Sequence, residues 1–375
     1  MEFDFAEVLL SVLERQASDL HLTAGSPPMI RHHGKLHALD YPRLTPQTTR
    51  EVIYSILTND QRQRLETDWQ IDLAYSIPAK ARFRVNAYFQ RAALSAAFRL
   101  IPSDMPTLRS LGLPPVLTDF TSKPRGFVLV TGPTGSGKST TLAAMIDLIN
   151  DTRHEHILTI EDPIEFLHKH KKCIINQREL GADAQSFALG LKAALRQDPD
   201  VILVGEMRDL ETIATALTAA ETGHLVFATL HTQDTAQTVD RIVDVFPPEQ
   251  QQQVRVQLSV ALQGIVTQQL LPTADGQGRC CATELLVPTP AVRNLIREGK
   301  THQIYSIMQA GGRFGMQTMD QSLANLVKAG RITQQLAYER CHDPEELNRL
   351  IGGGGASFDG GMGAAAASGL VASDW

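Results

Sequence analysis

Residues 132–140 read GPTGSGKST, and they stand between the apolar run FVLV and the helix-like segment LAAMIDLI. This is the G-x-x-x-x-G-K-[ST] spacing of a phosphate-binding loop, which requires a strand before it and a helix after it. Its glycines let backbone N–H groups converge on a phosphate, and the helix N-terminus adds partial positive charge. The predicted nucleotide-binding residues are therefore Gly132, Pro133, Thr134, Gly135, Ser136, Gly137, Lys138, Ser139 and Thr140.

Two side chains of this loop have predicted roles of their own. Lys138 is expected to reach the β- and γ-phosphates of the nucleotide, and the Ser139 hydroxyl is expected to bind Mg²⁺ directly. The alternative, a chance glycine-rich turn, is disfavoured because the flanking strand and helix patterns are both present.

Four continuous apolar runs alternate with helical segments after residue 126: FVLV, ILTI, VILV and LVFATL. Runs of this kind are typical of strands in a parallel sheet that helices cover on both faces. The sequence therefore predicts an α/β fold for this part of the chain.

A carboxylate ends the run VILV, since residues 198–206 read DPDVILVGE. We expect this strand to lie beside the strand of the phosphate loop, so that its terminal carboxylate faces the metal ion or the attacking water. Glu206 is thus predicted to orient water or act as the general base, and to contact Mg²⁺ through water. Gly205 stands where the usual motif has Asp, so no direct magnesium carboxylate is assigned. The alternative for Glu206 is an ordinary strand-end acid.

Polar residues also end the other two runs. Glu161, Asp162 and Glu165 follow ILTI and are predicted to act on Mg²⁺ and water, with Glu161 reaching Mg²⁺ through water; a capped turn is the alternative. His224 and His231 bracket LVFATL. We expect both to sense the γ-phosphate, with a structural role as the open alternative.

Charge is distributed unevenly along the chain, whose formal net charge is −6. Residues 1–115 carry +1 and the remainder carries −7, and no acidic residue occurs between Asp72 and Asp104. That interval contains the alternating segment RFRVNA, which places Arg82, Arg84 and Asn86 on one face of a strand. The interval is either a solvated surface strip or a strand edge presented to an anion. The acidic total disfavours a generally basic nucleic-acid binder.

The composition excludes several other classes. No apolar run approaches the roughly 20 residues of a membrane span, and the first residues lack the basic region of a signal peptide. Four cysteines without a CxxC pair disfavour a disulfide scaffold and a structural zinc site. A soluble cytoplasmic protein is therefore expected.

The chain divides into five predicted parts. Residues 1–101 form a small α+β domain, 102–126 a proline-rich linker, and 127–270 the phosphate-loop core. Residues 271–351 are expected to be helical. Residues 352–375 contain eight Gly and six Ala, which favours a disordered tail because such a segment buries too little surface to offset its ordering entropy.

Taken together, these motifs resemble the secretion and pilus ATPase superfamily. GPTGSGKST resembles its Walker A motif, ILTIEDPIEF its aspartate box, LRQDPDVILVGEMRD its Walker B motif and TGHLVFATLHT its histidine box. Within the superfamily, AVRNLIRE and GMQTMDQSL are similar to motifs of the type IV pilus retraction ATPases. Val292 replaces an Ile of that pattern, and the Gly/Ala tail lies outside it.

The resemblance implies a RecA-like ATPase core with a PAS-like N-terminal domain and a helical C-terminal extension, with ATP and Mg²⁺ as ligands. It implies a homohexamer that hydrolyses ATP to drive pilin depolymerisation, pilus retraction and twitching motility. The implied place is the cytoplasmic face of the inner membrane, where a platform protein makes the membrane contact. It also assigns Arg82, Arg84 and Arg99 to the phosphates, and leaves open which one dominates and whether a paralogous retraction ATPase takes part.

Four other functions compete with this one. A closely related accessory retraction ATPase is an alternative that AVRNLIRE and GMQTMDQSL disfavour. A pilus-assembly or type II secretion ATPase usually has a longer N-terminal region and a tetracysteine module, which this chain lacks. A nucleic-acid motor predicts a basic channel interleaved with aromatic side chains, whereas the core carries −7. A regulator that binds nucleotide without hydrolysis is disfavoured by the intact Lys138 and Glu206.

Overall fold

The structure is a computed structural model that describes residues 4–77, 80–101 and 105–352. Its N-terminal domain is a six-stranded antiparallel sheet in the order β3-β2-β1-β6-β5-β4, packed against three helices. The elements are α1 (Phe5–Glu14), β1 (Asp19–Leu22), β2 (Met29–His32), β3 (Lys35–Ala38), α2 (Pro46–Ser55), α3 (Asn59–Asp68), β4 (Gln70–Ile77), β5 (Ala81–Gln90) and β6 (Ala93–Ile101).

Strand β5 confirms the alternation predicted for RFRVNA. Phe83, Val85 and Ala87 are fully buried in the domain core, whereas Arg84 on the other face is exposed. The period of two along a strand explains this division, because successive side chains point to opposite faces. The arginine-bearing face is therefore available to the second domain.

The second domain contains a seven-stranded sheet in the order β13-β12-β7-β11-β10-β8-β9. Its strands pair in parallel except for β13, which pairs antiparallel with β12. Its elements are α4 (Val116–Thr121), β7 (Gly126–Thr131), α5 (Lys138–Thr152), β8 (His156–Glu161), β9 (Ile174–Glu179), α6 (Phe187–Ala194), β10 (Val201–Val204), α7 (Leu210–Thr222), β11 (Leu225–Leu230), α8 (Thr235–Asp244), α9 (Pro248–Ala261), β12 (Leu262–Pro272) and β13 (Arg279–Leu286). The four apolar runs are thus confirmed as β7, β8, β10 and β11.

The order of these strands corrects one expectation. The strand that ends at Glu206 does not lie beside the phosphate-loop strand, because β11 pairs with β7 on one side and with β10 on the other. All residues of β10 and β11 are buried, so their apolar patterns are equivalent and do not distinguish their places in the sheet. The consequence is that β11, which leads to His231, lies between the loop and Glu206.

Residues 108–120 pack on the core rather than spanning a gap between domains. Leu108, Leu113, Leu117 and Phe120 are buried in the same apolar cluster as Val128 of β7. This region includes α4, so the predicted linker 102–126 is a spacer over only part of its length. Strand β13 likewise differs from the expectation that residues 271–351 are helical.

Gly264 allows Phe120 to lie directly against β12. A Cβ at Gly264 would lie 2.3 Å from the Phe120 ring, which is 1% exposed and enclosed by the core. We expect Gly264→Ala to lower the free energy of unfolding by about 1–3 kcal/mol, because overpacking forces the ring or strand to shift. Thermal denaturation measures this loss. Gly278→Ala is the matched control, since its nearest neighbour is 4.0 Å away; an equal loss in both variants would contradict the packing argument.

Five α-helices and two short 3₁₀ helices complete the described chain after β13; the α-helices are α10 (Pro290–Glu298), α11 (Ile304–Ala310), α12 (Met319–Lys328), α13 (Gln334–Arg340) and α14 (Pro344–Ile351). Helix α14 ends at Gly352, whose φ of 100° is accessible to glycine. The predicted tail, except for Gly352, lies outside the described residues. Within the parts of the chain that the structure describes, no helix has the length and apolar character needed to cross a membrane.

Candidate nucleotide site

The phosphate loop joins β7 to the N-terminus of α5. Gly132, Gly135 and Gly137 have φ values of 136°, 81° and 90°, which side-chain-bearing residues rarely adopt. At Gly132 a Cβ would also lie 2.4 Å from the carbonyl oxygen of Gln268 on β12. The backbone conformation of the loop therefore requires glycine at these positions. This conformation leads directly into the N-terminus of α5.

Lys138 is the first residue of α5, and its ammonium group lies inside the loop. Its Nζ donates to the carbonyl oxygens of Gly132, at 2.8 Å, and Pro133, at 3.1 Å. Burial lowers the pKa of Lys138, and the negative charges of Glu206 and Glu165 act against that effect. The positive charge is thus concentrated where the loop amides converge.

A cavity of about 530 Å³ opens beside the loop and collects most of the predicted residues. Loop residues form one wall, the ends of β8, β10 and β11 form another, and Arg84 enters from the N-terminal domain. The predicted residues that line it are Arg84, Thr134, Gly135, Gly137, Lys138, Ser139, Thr140, Glu161, Asp162, Glu165, Glu206 and His231.

Glu206 has the most constrained carboxylate of this cavity. Arg208 donates to both of its oxygens, with Nε–Oε1 at 2.5 Å and Nη2–Oε2 at 2.6 Å. His231 Nε2 lies 3.0 Å from Oε1. Burial alone would raise the pKa of Glu206, but the hydrogen bonds from Arg208 and the interaction with His231 outweigh it, so the pKa is lowered. The carboxylate is consequently ionised at neutral pH.

Glu161 lies at the end of β8 in a different environment. Thr159 Oγ1 and Gln177 Nε2 donate to its Oε1 at 2.6 Å and 3.1 Å. Burial nevertheless raises the pKa of Glu161, and the charge of Glu165 acts in the same direction. The cavity therefore contains two carboxylates with opposite pKa shifts, an arrangement that is typical of functional sites.

Three of the predicted catalytic residues lie away from this cavity, and Gly132, Pro133 and Ser136 of the predicted loop do not line it either. His224 precedes β11 whereas His231 follows it, so a full strand separates them, and His224 Nδ1 is 3.0 Å from the carbonyl oxygen of Ala219. Arg99 is paired with Asp19 inside the N-terminal domain at 2.9 Å. Arg82 pairs with Glu179 instead of lining the cavity. Of the three predicted arginines, the fold brings Arg84 to the loop.

Sequence reasoning missed two arginines that line the cavity. Arg208 follows Glu206 by two residues, just after β10 ends. Its closeness in sequence to a predicted site carboxylate could have indicated that it belongs to the site. Arg279 begins β13 and lines both this cavity and a second one of about 550 Å³ on the other side of α5. No local pattern points to Arg279, because it reaches the loop only through the pairing of β13 with β12.

The residues present fit a nucleoside triphosphate with Mg²⁺. A Cβ at Gly135 or Gly137 would meet nothing within 4 Å, so the loop faces open space there, and the buried Oγ of Ser136 has no hydrogen-bond partner within the described chain. Ser139 supplies a hydroxyl at the helix terminus, and Glu206 and Glu161 supply oxygens across the cavity. Hydroxyl, carboxylate and water oxygens are the ligands that Mg²⁺ prefers.

Comparison with known proteins identifies the family. A family model described as type II/IV secretion system protein matches residues 2–337. The chain belongs to this family. The match of the type II/IV secretion system protein family includes both sheets, so the N-terminal domain belongs to the family pattern as much as the phosphate-loop core does.

Individual members of the type II/IV secretion system family are closely similar over nearly the full chain. The type IV pilus retraction ATPase PilT of Pseudomonas aeruginosa is 52% identical over 92% of this chain and 100% of its own length. A twitching motility protein of Neisseria gonorrhoeae is 50% identical, over 91% of this chain and 92% of its own length. A crystal structure of the pilus retraction motor PilT with bound ADP has a TM-score of 0.88 at 53% identity, covering 93% of this chain and all of that one.

Proposed function

We propose that this protein is a motor ATPase that hydrolyses ATP to power type IV pilus retraction, by pilin depolymerisation, and hence twitching motility. The observation that carries the proposal is the convergence of Lys138, Glu206 and Arg84 on one cavity beside the phosphate loop. Its support from relatives is the match to a retraction ATPase over the whole length of that protein.

The loop and α5 would bind the phosphates of ATP. Backbone N–H groups of residues 132–140 provide donors, and Lys138 provides the charge that balances the β- and γ-phosphates. The side chains suited to Mg²⁺ are Ser139, directly, and Glu206 and Glu161, through water. When bound, Mg²⁺ would neutralise charge on the phosphates.

The acids and His231 would act on the water. Glu206, held by Arg208 and His231, orients the attacking water and accepts its proton as the water oxygen bonds to the γ-phosphorus and the bond to the bridging oxygen breaks. Asp162 and Glu165 lie at the same strand end as Glu161 and support this arrangement electrostatically. Arg84 supplies positive charge to the transferring phosphoryl group from the N-terminal domain.

The second cavity would take the nucleoside part of ATP. It begins at Ser136, Gly137 and Thr140, on the opposite side of α5 from Glu206, and it includes Arg109, Gly112 and Leu113 of the segment between the domains. Gly137 and Thr140 line both cavities, so a single extended ligand could occupy them together. This arrangement places the nucleoside next to the chain that connects the two domains.

We further propose that the protein works as a homohexamer at the cytoplasmic face of the inner membrane. Its proposed partner there is the membrane-embedded platform protein of the pilus, through which all membrane contact is made, with a paralogous retraction ATPase as a second partner. Nucleic acid is not a proposed partner, because the residues from 116 onward carry −7.

Deleting the gene tests the direction of action. We expect cells that still display surface pili but do not twitch, because extension would continue without depolymerisation. Electron microscopy of pili and a surface-motility assay measure the two outcomes. The wild-type gene should restore motility, and the Lys138→Ala gene should not. Loss of surface pili would instead indicate an assembly ATPase and would contradict the proposal.

A further inference from the structure

An ion pair joins the two domains at a distance from the phosphate loop. Arg82 Nη2 of β5 lies 2.6 Å from Glu179 Oε2 at the end of β9, and the two side chains are 17% and 11% exposed. Within residues 4–77, 80–101 and 105–352, it is the one ion pair that connects the N-terminal sheet domain with the core.

The same oxygen of Glu179 also holds the loop that follows β8. The backbone N–H of Ile164 donates to Glu179 Oε2 at 3.1 Å. Ile164 is buried and lies between Asp162 and Glu165, both of which line the nucleotide cavity. One carboxylate oxygen therefore contacts the N-terminal domain and the wall of the cavity at once.

Glu179 is itself fixed by the turn that follows it. Its backbone N–H donates to Asp183 Oδ2 at 2.9 Å, and its carbonyl oxygen accepts from the N–H groups of Asp183, at 2.8 Å, and Ala184, at 3.1 Å. With the backbone held, a displacement of Arg82 is not absorbed by movement of the turn. It must change the hydrogen bonding of the carboxylate, and a buried carboxylate that loses a partner is costly.

Arg82 and Arg84 share one face of β5 but have different surroundings. Arg84 lines the cavity, whereas Arg82 pairs with Glu179 and donates from Nη1 to Ser76 Oγ at 3.3 Å. The Nε of Arg82 is buried without a hydrogen-bond partner in the described chain. Strand β5 thus presents Arg84 to the nucleotide cavity and Arg82, two residues earlier, to the carboxylate of Glu179.

We propose that Glu179 is a positioning residue that couples the orientation of the N-terminal domain to residues 162–165 of the nucleotide site, with Arg82 as its partner across the domain boundary. The coupling is reciprocal by thermodynamic linkage. Binding of nucleotide therefore changes the stability of the contact between β5 and Glu179 by the same free energy by which that contact changes nucleotide binding. The inference rests on the nucleotide part of the proposed function and is independent of pilus retraction.

Amide hydrogen exchange tests the coupling in the full-length protein without requiring turnover. Arg82→Ala and Glu179→Gln each remove the ion pair, and Glu179→Gln retains an oxygen that can accept from Ile164 N–H. We expect exchange in residues 162–166 to rise by about 5- to 150-fold in both, the range of typical coupling between sites. Arg82→Lys should restore much of the protection. Arg31→Ala is the control, because its contacts with Asp19 and Gly34 stay within the N-terminal domain.

A double-mutant cycle with ADP as the probe separates the alternatives. If the two residues act as a unit, Arg82→Ala with Glu179→Gln exchanges no faster than either single variant, and ADP alters exchange in β5 of the wild type but not of the variants. Additive effects, or unchanged exchange in residues 162–166, would overturn the proposal.

ATP turnover of the single variants gives a second test. Loss of turnover in Arg82→Ala with full turnover in Glu179→Gln would also overturn the proposal, since Arg82 would then act on the phosphates directly. A wild type without ATPase activity would refute the proposed function and leave the exchange results interpretable.

Discussion

Lys138→Ala is expected to lower ATP turnover by at least about 100-fold, the cost of removing a single preorganised donor from a developing negative charge. The reason is geometric, because the Lys138 ammonium lies inside the phosphate loop, 2.8 Å and 3.1 Å from the carbonyl oxygens of Gly132 and Pro133, and can turn toward bound phosphates. Release of inorganic phosphate from purified protein measures the effect. Binding of a fluorescent ATP analogue should weaken in parallel, since the lost charge contributes to the bound ground state as well.

Lys172→Ala is the matched control for this variant. Lys172 belongs to the same domain but is exposed and does not line the cavity, so its turnover should equal that of the wild type. The same assay with and without single-stranded DNA addresses the nucleic-acid motor. Strong stimulation by DNA would favour that motor, and turnover that survives Lys138→Ala would place the active site elsewhere.

Glu206→Gln is expected to lower turnover by about 10²- to 10⁴-fold while leaving ATP binding nearly unchanged. Glutamine keeps the shape of the side chain but cannot accept the proton of the attacking water. The substitution also removes the bidentate ion pair with Arg208. Because the phosphate loop and Lys138 are unchanged, the variant separates the chemical step from the binding of the phosphates. Single-turnover hydrolysis and equilibrium ATP binding, measured on the same preparation, distinguish the two steps.

Glu211→Gln provides the comparison for Glu206→Gln. Glu211 is the second residue of α7, five residues after Glu206, and its partner Lys192 lies on the surface of α6, away from the cavity. We expect its turnover to match the wild type. A Glu206→Gln protein that hydrolyses ATP at the wild-type rate would remove Glu206 from the role of general base and leave Glu161, Asp162 and Glu165 as the remaining acids of the cavity.

Local sequence patterns were sufficient for four strands of the core sheet, β7, β8, β10 and β11, and for the loop. The runs FVLV and LVFATL predicted β7 and β11 because a strand buried on both faces is apolar at nearly every position, and GPTGSGKS predicted the turn because glycine tolerates the backbone angles at three of its positions. The order of the strands was not predictable in the same way. Insertion of β11 between β7 and β10 depends on crossover connections, about which the composition of each strand carries no information.

The site was predictable where its residues follow strand ends and unpredictable where they come from pairing or from another domain. Glu161, Glu206 and His231 meet because parallel strands end at one edge of the sheet. His224 is at the opposite end of its strand for the same reason. Arg82, Arg84 and Arg99 have the same charge pattern in sequence, and their roles diverge only because Glu179 and Asp19 capture two of them.

The antiparallel hairpin of β12 and β13 has a mechanical consequence. Helix α12 is joined to β13 by Ser322, whose Oγ accepts from Thr283 N–H at 3.0 Å, and Gln317, two residues before the helix, forms a bridge with Leu285 of β13. Strand β12 then pairs with both β13 and β7, the strand that ends in the phosphate loop. Ladder hydrogen bonds cross between strands, so a tension applied along β12 loads many of them at once in shear rather than one after another. A force applied to the segment around α12 would therefore reach the loop that would hold the nucleotide through these two ladders.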